Sequence, residues 1–438
     1  DKVTKLTDIG DDVRCLCSTY MYCSYSENKA RHNIKESIHE LFRRTNIGGN
    51  LQEISKNLSS SSFLRNDNTR KKNILIIHEQ LRSNHSMYRC YYRLLTYLKK
   101  NNMLTGVCFS SSHIDEKAKK LFHQHKVINI NNFNQTINNL SELIKKEKFD
   151  IVYYPSIGMS FYTILTSSFR LAKIQICSHG HPAPSLSKTI DRVIDYEGVD
   201  KSELDPYCKY SFLSRTHPQT LNRPDILPLE KWNIFNKRFK KKNERVTIGI
   251  TAMPFKLTSP FLGILKILSE KYKHKIEFII FEAYGSNIIN DQITQTLQKI
   301  IRSPFVTISK QPFGNYLKLL SKCTIFISPY PFGGHSGFLD CIRMGLIGPC
   351  LIKNTFPQNI ERHYYKMIGF ESLISNSKYK YIEIMSDLIE YANGDSDNSL
   401  FIPKNLISPK EATMIITKES EQYNKEIANA FELNSTNI

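Results

Sequence analysis

Residues 325–346 read I-F-I-S-P-Y-P-F-G-G-H-S-G-F-L-D-C-I-R-M-G-L. The apolar run Ile325–Ser328 has the length and composition of a buried strand. A Pro- and Gly-rich loop follows, and a helix is expected to begin near Gly337. Such a helix start presents unbonded N–H groups and the positive end of a dipole, a natural seat for a diphosphate. Gly333 and Gly334 would let the backbone approach closely. Ser336 could cap the helix or donate to phosphate, and Asp340, one turn in, could reach ribose hydroxyls. Spacing alone also fits, and slightly favours, an ordinary loop ahead of a capped helix. The segment is neither a Walker loop nor G-x-G-x-x-G.

The same strand-then-helix alternation extends in both directions. Upstream in the C-terminal half, Val246–Ile250, Ile276–Phe281 and Phe305–Ile308 read as buried strands, and downstream Cys350–Ile352 does. A first series occupies Ile74–Ile77, Val107–Phe109, Ile151–Tyr154 and Ile174–Cys177, with helical patterns at Tyr88–Leu98 and Ile137–Lys146. The alternation predicts parallel sheets covered by helices, hence an α/β protein with two facing Rossmann-like lobes and a cleft between them. Residues 215–244, with Pro218, Pro224, Pro228 and a Lys-rich run, read as the link between the lobes. Residues 1–70 read as a small helical segment, with Asn33–Arg44 at helical spacing and a Ser-, Asn- and Lys-rich connector over 57–72. The expected domains are therefore 1–70, 71–225 and 226–438, the last ending in helices.

Open α/β sheets bind ligands beyond the carboxyl ends of their strands. The polar clusters fall there: His78-Glu79 and Asn84-His85-Ser86, then S-H-G-H-P at 178–182, then T-A-M-P-F-K at 251–256. Lys256 could neutralise a leaving diphosphate, although most lysines are solvated surface groups. His181 would face the expected cleft, although a histidine in a turn is more often structural. His85 could be a base or an acceptor-binding group, with the same reservation. Their order along the fold argues for them more than the residues do singly.

Composition narrows the function classes. A chain of 438 residues is too long for one ordinary core. No apolar run reaches about 18 residues, so no transmembrane segment is expected. The chain opens on Asp1 rather than Met, which reads as a processed or shortened N-terminus without a signal segment. Ten cysteines are scattered, with no C-x-x-C pair, so nothing reads as a zinc site and no metal is expected. Reduced thiols in a cytoplasmic protein are the simplest reading. The net charge of +19 suits an anionic substrate but also a merely solvated basic face. No nucleic-acid motif accompanies it, so no nucleic-acid partner is expected.

Taken in order, these segments resemble the bacterial cytoplasmic asparagine glucosyltransferases that modify adhesins, in glycosyltransferase family 41 with the O-GlcNAc transferases. The family's H-S-x-H-S-I-Y-R is similar to R-S-N-H-S-M-Y-R at 82–89. Its G-H-P-A turn stands at Gly180-His181-Pro182-Ala183, and its Met-Lys-Leu step resembles Phe255-Lys256-Leu257. P-F-P-F-G-N-T-N-G-I-I-D is matched by P-Y-P-F-G-G-H-S-G-F-L-D at 329–340, and G-L-x-G-x-C by Gly345–Cys350. M-Y-C-S-Y at 21–25 resembles the end of the family's helical N-terminal domain.

The resemblance implies a GT-B fold and metal-independent, inverting transfer of a hexose, usually glucose, from a UDP-sugar to asparagine in N-x-Ser/Thr sequons of a protein acceptor. Carried over by position, Lys256 and the helix start at Gly337 would hold the diphosphate, Asp340 the ribose, and His181 the phosphate or sugar, with His85 on the acceptor side. The chain departs from the family at several places. Its two loop asparagines are Gly334 and Ser336 here, and His335-Ser336 is similar to the His-Thr pair of the O-GlcNAc transferase branch. Pro357 and Asn359 replace two histidines, Gln311 stands near a third, and Tyr284 sits where a glutamine lies beside the uracil. A Ser/Thr- or glycan-directed transferase, or a non-catalytic partner of another glycosyltransferase, are the alternative readings.

Overall fold

The computed structural model describes residues 15–60, 71–130, 132–181, 183–196, 205–208, 210–214, 227–235, 244–281, 287–352, 356–397 and 399–432. The chain divides into two units, residues 1–219 with 420–438, and residues 220–419.

In the first unit the run N-I-L-I-I forms strand β1 (Asn73–Ile77), whose four apolar side chains are fully buried. It is followed by β2 (Met103–Cys108), β3 (Gln124–Val127), β4 (Ile151–Tyr154), β5 (Ile174–Ser178), β6 (Arg192–Tyr196) and β7 (Tyr210–Ser214). They pair in the order β3-β2-β1-β4-β5-β6-β7, every pair parallel. Parallel neighbours need long crossovers, and helices such as Ser86–Asn101 and Phe133–Glu147 supply them. The latter is capped by Asn132, whose Oδ1 accepts from the Gln135 N–H at 3.1 Å, and it ends on Lys145 and Lys146, where cations favour the dipole.

The N-terminal helices Cys15–Tyr22, Asn33–Arg44 and Asn50–Ser60 belong to this unit rather than to a body of their own. Tyr20, Ile38, Phe42 and Leu51 join Leu75, Ile77, Val152 and Tyr154 in one buried cluster. Each such side chain contributes roughly 1.5–3 kcal/mol when fully buried, and helices this short would not hold alone in water. The connector expected from residue 57 starts later, because the third helix runs to Ser60; residues 61–70 lie outside the described residues.

In the second unit β8 (Val246–Thr251), β9 (Ile276–Phe281), β10 (Phe305–Ile308) and β11 (Ile325–Phe326) form a parallel sheet in the order β10-β9-β8-β11. A separate short parallel pair, β12 (Cys350–Leu351) with β13 (Ile374–Ser375), lies in the same unit. The expected link over 215–244 is in part structural: Trp232 is buried, its Nε1–H donating to the Ile407 carbonyl at 2.7 Å. Asn233 donates through its amide to the carbonyls of Ser321 and Cys323, so this stretch packs into the second unit. Residues 215–226 and 236–243 lie outside the described residues.

The far C-terminus groups with the first unit, not the second as its place in the sequence suggests. The buried Arg192 guanidinium donates to the carbonyl oxygens of Ala430 at 2.7 Å and Glu432 at 2.5 Å, and Phe431 meets Tyr153 edge-on at 5.1 Å. No helix among the described residues is long and apolar enough to cross a membrane.

Candidate active site

In the second unit β11 leads into the loop Ser328–His335, and the helix Ser336–Arg343 starts directly after it. Gly333 lies at φ +86°, a conformation that suits a residue without a Cβ. Gly337 is set by close approach: a Cβ there would stand 2.3 Å from Thr251 Oγ1 at the end of β8. The helix start is thereby held against the strand end. His335, in the N-cap position, takes φ +54° and ψ −108°. For a side-chain-bearing residue such a backbone costs about 1–3 kcal/mol and must be held by its surroundings.

Glu361 supplies part of that hold. Its buried carboxylate accepts from Ser328 Oγ at 2.8 Å, from the Gly334 N–H, and from the His335 N–H at 3.2 Å. Lys256 supplies the rest from the other side. It sits on the turn Pro254–Lys256 just past β8, buried, and its Nζ donates to the Gly333 carbonyl at 2.8 Å and the Gly334 carbonyl at 3.3 Å. An ammonium carries three N–H donors, and these two carbonyls take two of them. The Phe332 ring lies 4.9 Å from the same Nζ. Thr258, which caps the next helix, donates to the Tyr330 carbonyl at 2.6 Å and ties that turn to the loop.

Burial sets the protonation of this pair. It pushes the Lys256 ammonium down to about 8, opposed by the Glu361 charge. It pushes the Glu361 carboxyl up to about 7, opposed by its hydrogen bonds to Ser328, Gly334 and His335 and by Lys256. Each therefore gives up its charge more readily than an exposed group would, in surroundings where water screens little. An anion placed against the loop would meet the Lys256 charge, the dipole of the helix Ser336–Arg343 and the Ser336 hydroxyl. The N–H groups of Gly337 and Phe338 close tight turns on Gly334 and His335, both at 3.1 Å.

The structure thus brings Lys256, His335, Ser336 and Gly337 to one loop. Asp340 is buried one turn into the same helix. Gln311 follows β10 in the same unit, half-buried, its Nε2 donating to the Ser309 carbonyl at 3.2 Å. Tyr284 lies outside the described residues, and of Pro357 only its place in the helix Phe356–Met367 is described. Asn359 is buried in that helix, two residues before Glu361.

His85 and His181 belong to the first unit. His85 caps the helix Ser86–Asn101, its Nδ1 accepting from the Met87 N–H at 3.2 Å, so one ring nitrogen does structural work. His181 is buried after β5, with its N–H donating to Ser156 Oγ at 3.1 Å and its Nε2 3.2 Å from Ser24 Oγ. The N-terminal M-Y-C-S-Y stretch therefore packs on the Gly180-His181 turn, with the Tyr25 ring 6.2 Å from that of His181. Glu79, directly after β1, collects the N–H groups of Gly158, Met159 and Ser160 at 2.7–2.9 Å and so fixes the loop that carries Ser156. Sequence reading placed Glu79 after the first strand but gave it no role, and it did not single out Glu361. For Glu79 the available signal was an acid immediately after a buried strand. For Glu361 there was none short of the loop it touches.

Comparison with known proteins agrees with this architecture. A family model described as HMW1 domain 2 matches residues 1–45. Two UDP-glucose:protein N-β-glucosyltransferases of Actinobacillus pleuropneumoniae, from serotype 5b strain L20 and serotype 7 strain AP76, are each 27% identical over 369 residues. The match covers 83% of this chain and 57% of those relatives, so the chain spans little more than half their length. A solved mutant of the Thermobaculum terrenum O-GlcNAc transferase superposes with TM-score 0.71 at 13% identity, over 96% of this chain and 77% of the other. The fold is that of the GT-B glycosyltransferases. Within that class the chain is similar to the bacterial protein N-glucosyltransferases, the family its motifs resemble.

Proposed function

We propose that the chain is a UDP-sugar-dependent protein glycosyltransferase, moving a hexose, glucose foremost, to asparagine in N-x-Ser/Thr sequons. The observation that carries the reading is the buried Lys256 ammonium set against the loop that opens the helix Ser336–Arg343. There a diphosphate would gain charge and dipole together, and preorganised charge of this kind is usually the largest catalytic contribution. The asparagine nitrogen attacks C1 of the sugar as the bond from C1 to the β-phosphate oxygen breaks. The electron pair leaves with UDP, the amide proton passes to solvent, and C1 inverts. Ser336 donates to the phosphate, and Asp340, Gln311 and Tyr284 serve the nucleoside. Charge neutralisation falls to Lys256 and the helix, so turnover is expected to survive a chelator. A bacterial cytoplasm, with the cysteines reduced, suits a reaction on freshly made adhesin-like proteins.

The test is intact-mass analysis of sequon peptides and their serine-only counterparts incubated with a panel of UDP-sugars. A hexose mass added to the asparagine peptide alone is expected with UDP-glucose. Lys256→Ala is expected to cut that turnover by about 100-fold or more while circular dichroism stays unchanged. Transfer to serine peptides alone would move the acceptor assignment. No transfer to any peptide, with UDP still bound, would favour a non-catalytic partner.

A further inference from the structure

Away from that loop, three side chains with metal-ligand chemistry converge in the first unit. His78 follows β1, Cys108 ends β2, and His125 lies in β3; one potential ligand atom from each falls within 4.8 Å of the others. We propose that His78, Cys108 and His125 form a metal-binding site for a Zn²⁺-class ion.

The three come from adjacent parallel strands, which is why no short Cys/His spacing reveals them in the sequence. Room for the imidazole of His125 is made by its register partner Gly106, where a Cβ would stand 2.6 Å from the ring. Phe122 stacks on His78 at 5.7 Å and closes one side with an apolar wall. His78 and Cys108 are buried, while His125 is half-buried and leaves a side on which water could complete the coordination.

The Nε2 atoms of His78 and His125 lie 2.8 Å apart, so each ring already turns a potential ligand atom toward the other.

The chemistry also fits. The Cys108 thiol loses its proton to solvent as the metal–sulfur bond forms. Two nitrogens, one sulfur and no carboxylate exclude the oxygen-seeking ions and suit tetrahedral Zn²⁺ with one open position. Tetrahedral bonds of about 2.05 Å put two nitrogens about 3.3 Å apart, so the rings need part by only about 0.5 Å.

The test uses the full chain, stripped with chelator and titrated with Co²⁺. One equivalent is expected to bind with the near-ultraviolet band of a thiolate–cobalt bond and the visible bands of tetrahedral geometry, and Zn²⁺ is expected to displace it. Cys108→Ser should abolish the thiolate band, and His125→Asn should weaken binding by more than about 100-fold, with unchanged circular dichroism. Should either variant unfold, X-ray absorption on the zinc-loaded wild type replaces it, with one sulfur and two imidazoles expected around the metal. A missing thiolate band, the same band in a folded Cys108→Ser, or a zinc shell without sulfur would overturn the proposal.

Discussion

Lys256 holds its charge where solvent screens it least, and its neighbour Glu361 makes the loop sensitive to pH. A diphosphate prefers the protonated lysine, whose proton is lost near pH 8 in the free protein. UDP affinity is therefore expected to fall by up to about tenfold per pH unit above that value, read by calorimetry between pH 7.5 and 9.5. Glu361 acts on stability instead. Its carboxyl is raised from the usual 4.5 to about 7 on folding, so its contribution is fully present below about pH 4.5 and lost as pH rises through about 7. The loss is on the order of 3 kcal/mol at most. Glu361→Gln is expected to flatten the fall in unfolding free energy between pH 5 and 7.5, measured by urea denaturation; an unchanged slope would remove Glu361 from the account. At this scale sequence pattern placed Lys256, Ser336 and Gly337, because their positions follow from a strand end and a helix start. It missed Glu361, whose partners Ser328, Gly334 and His335 are distant in the chain.

Among the elements, those with an apolar run or helical apolar spacing were legible. Asn33–Arg44, Ile151–Tyr154, Ile276–Phe281 and Phe305–Ile308 fall where apolar spacing puts them. β3 (Q-H-K-V) was not, since a half-exposed edge strand lacks the apolar run that marks a buried one. β6 and β7 escaped for want of any clear run in R-V-I-D-Y and Y-S-F-L-S. The helix Ser336–Arg343 owes its docking to Gly337, where a Cβ would stand only 2.3 Å from Thr251 Oγ1. Gly337→Ala is expected to lift the helix start from β8, to destabilise by about 1–3 kcal/mol and to weaken UDP binding. A variant with wild-type urea midpoint and affinity would show that the close approach does not matter.

For the whole molecule, the two series of strands and helices made two Rossmann-like units readable, whereas the return of the C-terminal segment to the first unit was not. Nothing in its composition announces that Arg192 needs the carbonyls of Ala430 and Glu432. Ending the chain at Glu419 is expected to lower the Tm of the first unit by several degrees, because a buried guanidinium loses two acceptors. UDP binding by the second unit should persist. An unchanged melt would mean that the segment adds little. On the proposed reading a UDP diphosphate lies between the Lys256 ammonium and the start of the helix Ser336–Arg343. Calorimetric titration of UDP at pH 7 into the wild type and into folded Lys256→Met is the decisive measurement. The account predicts saturable binding that weakens at least about tenfold in the variant, about 1.4 kcal/mol; equal affinity in both, or no heat at millimolar UDP, would contradict it.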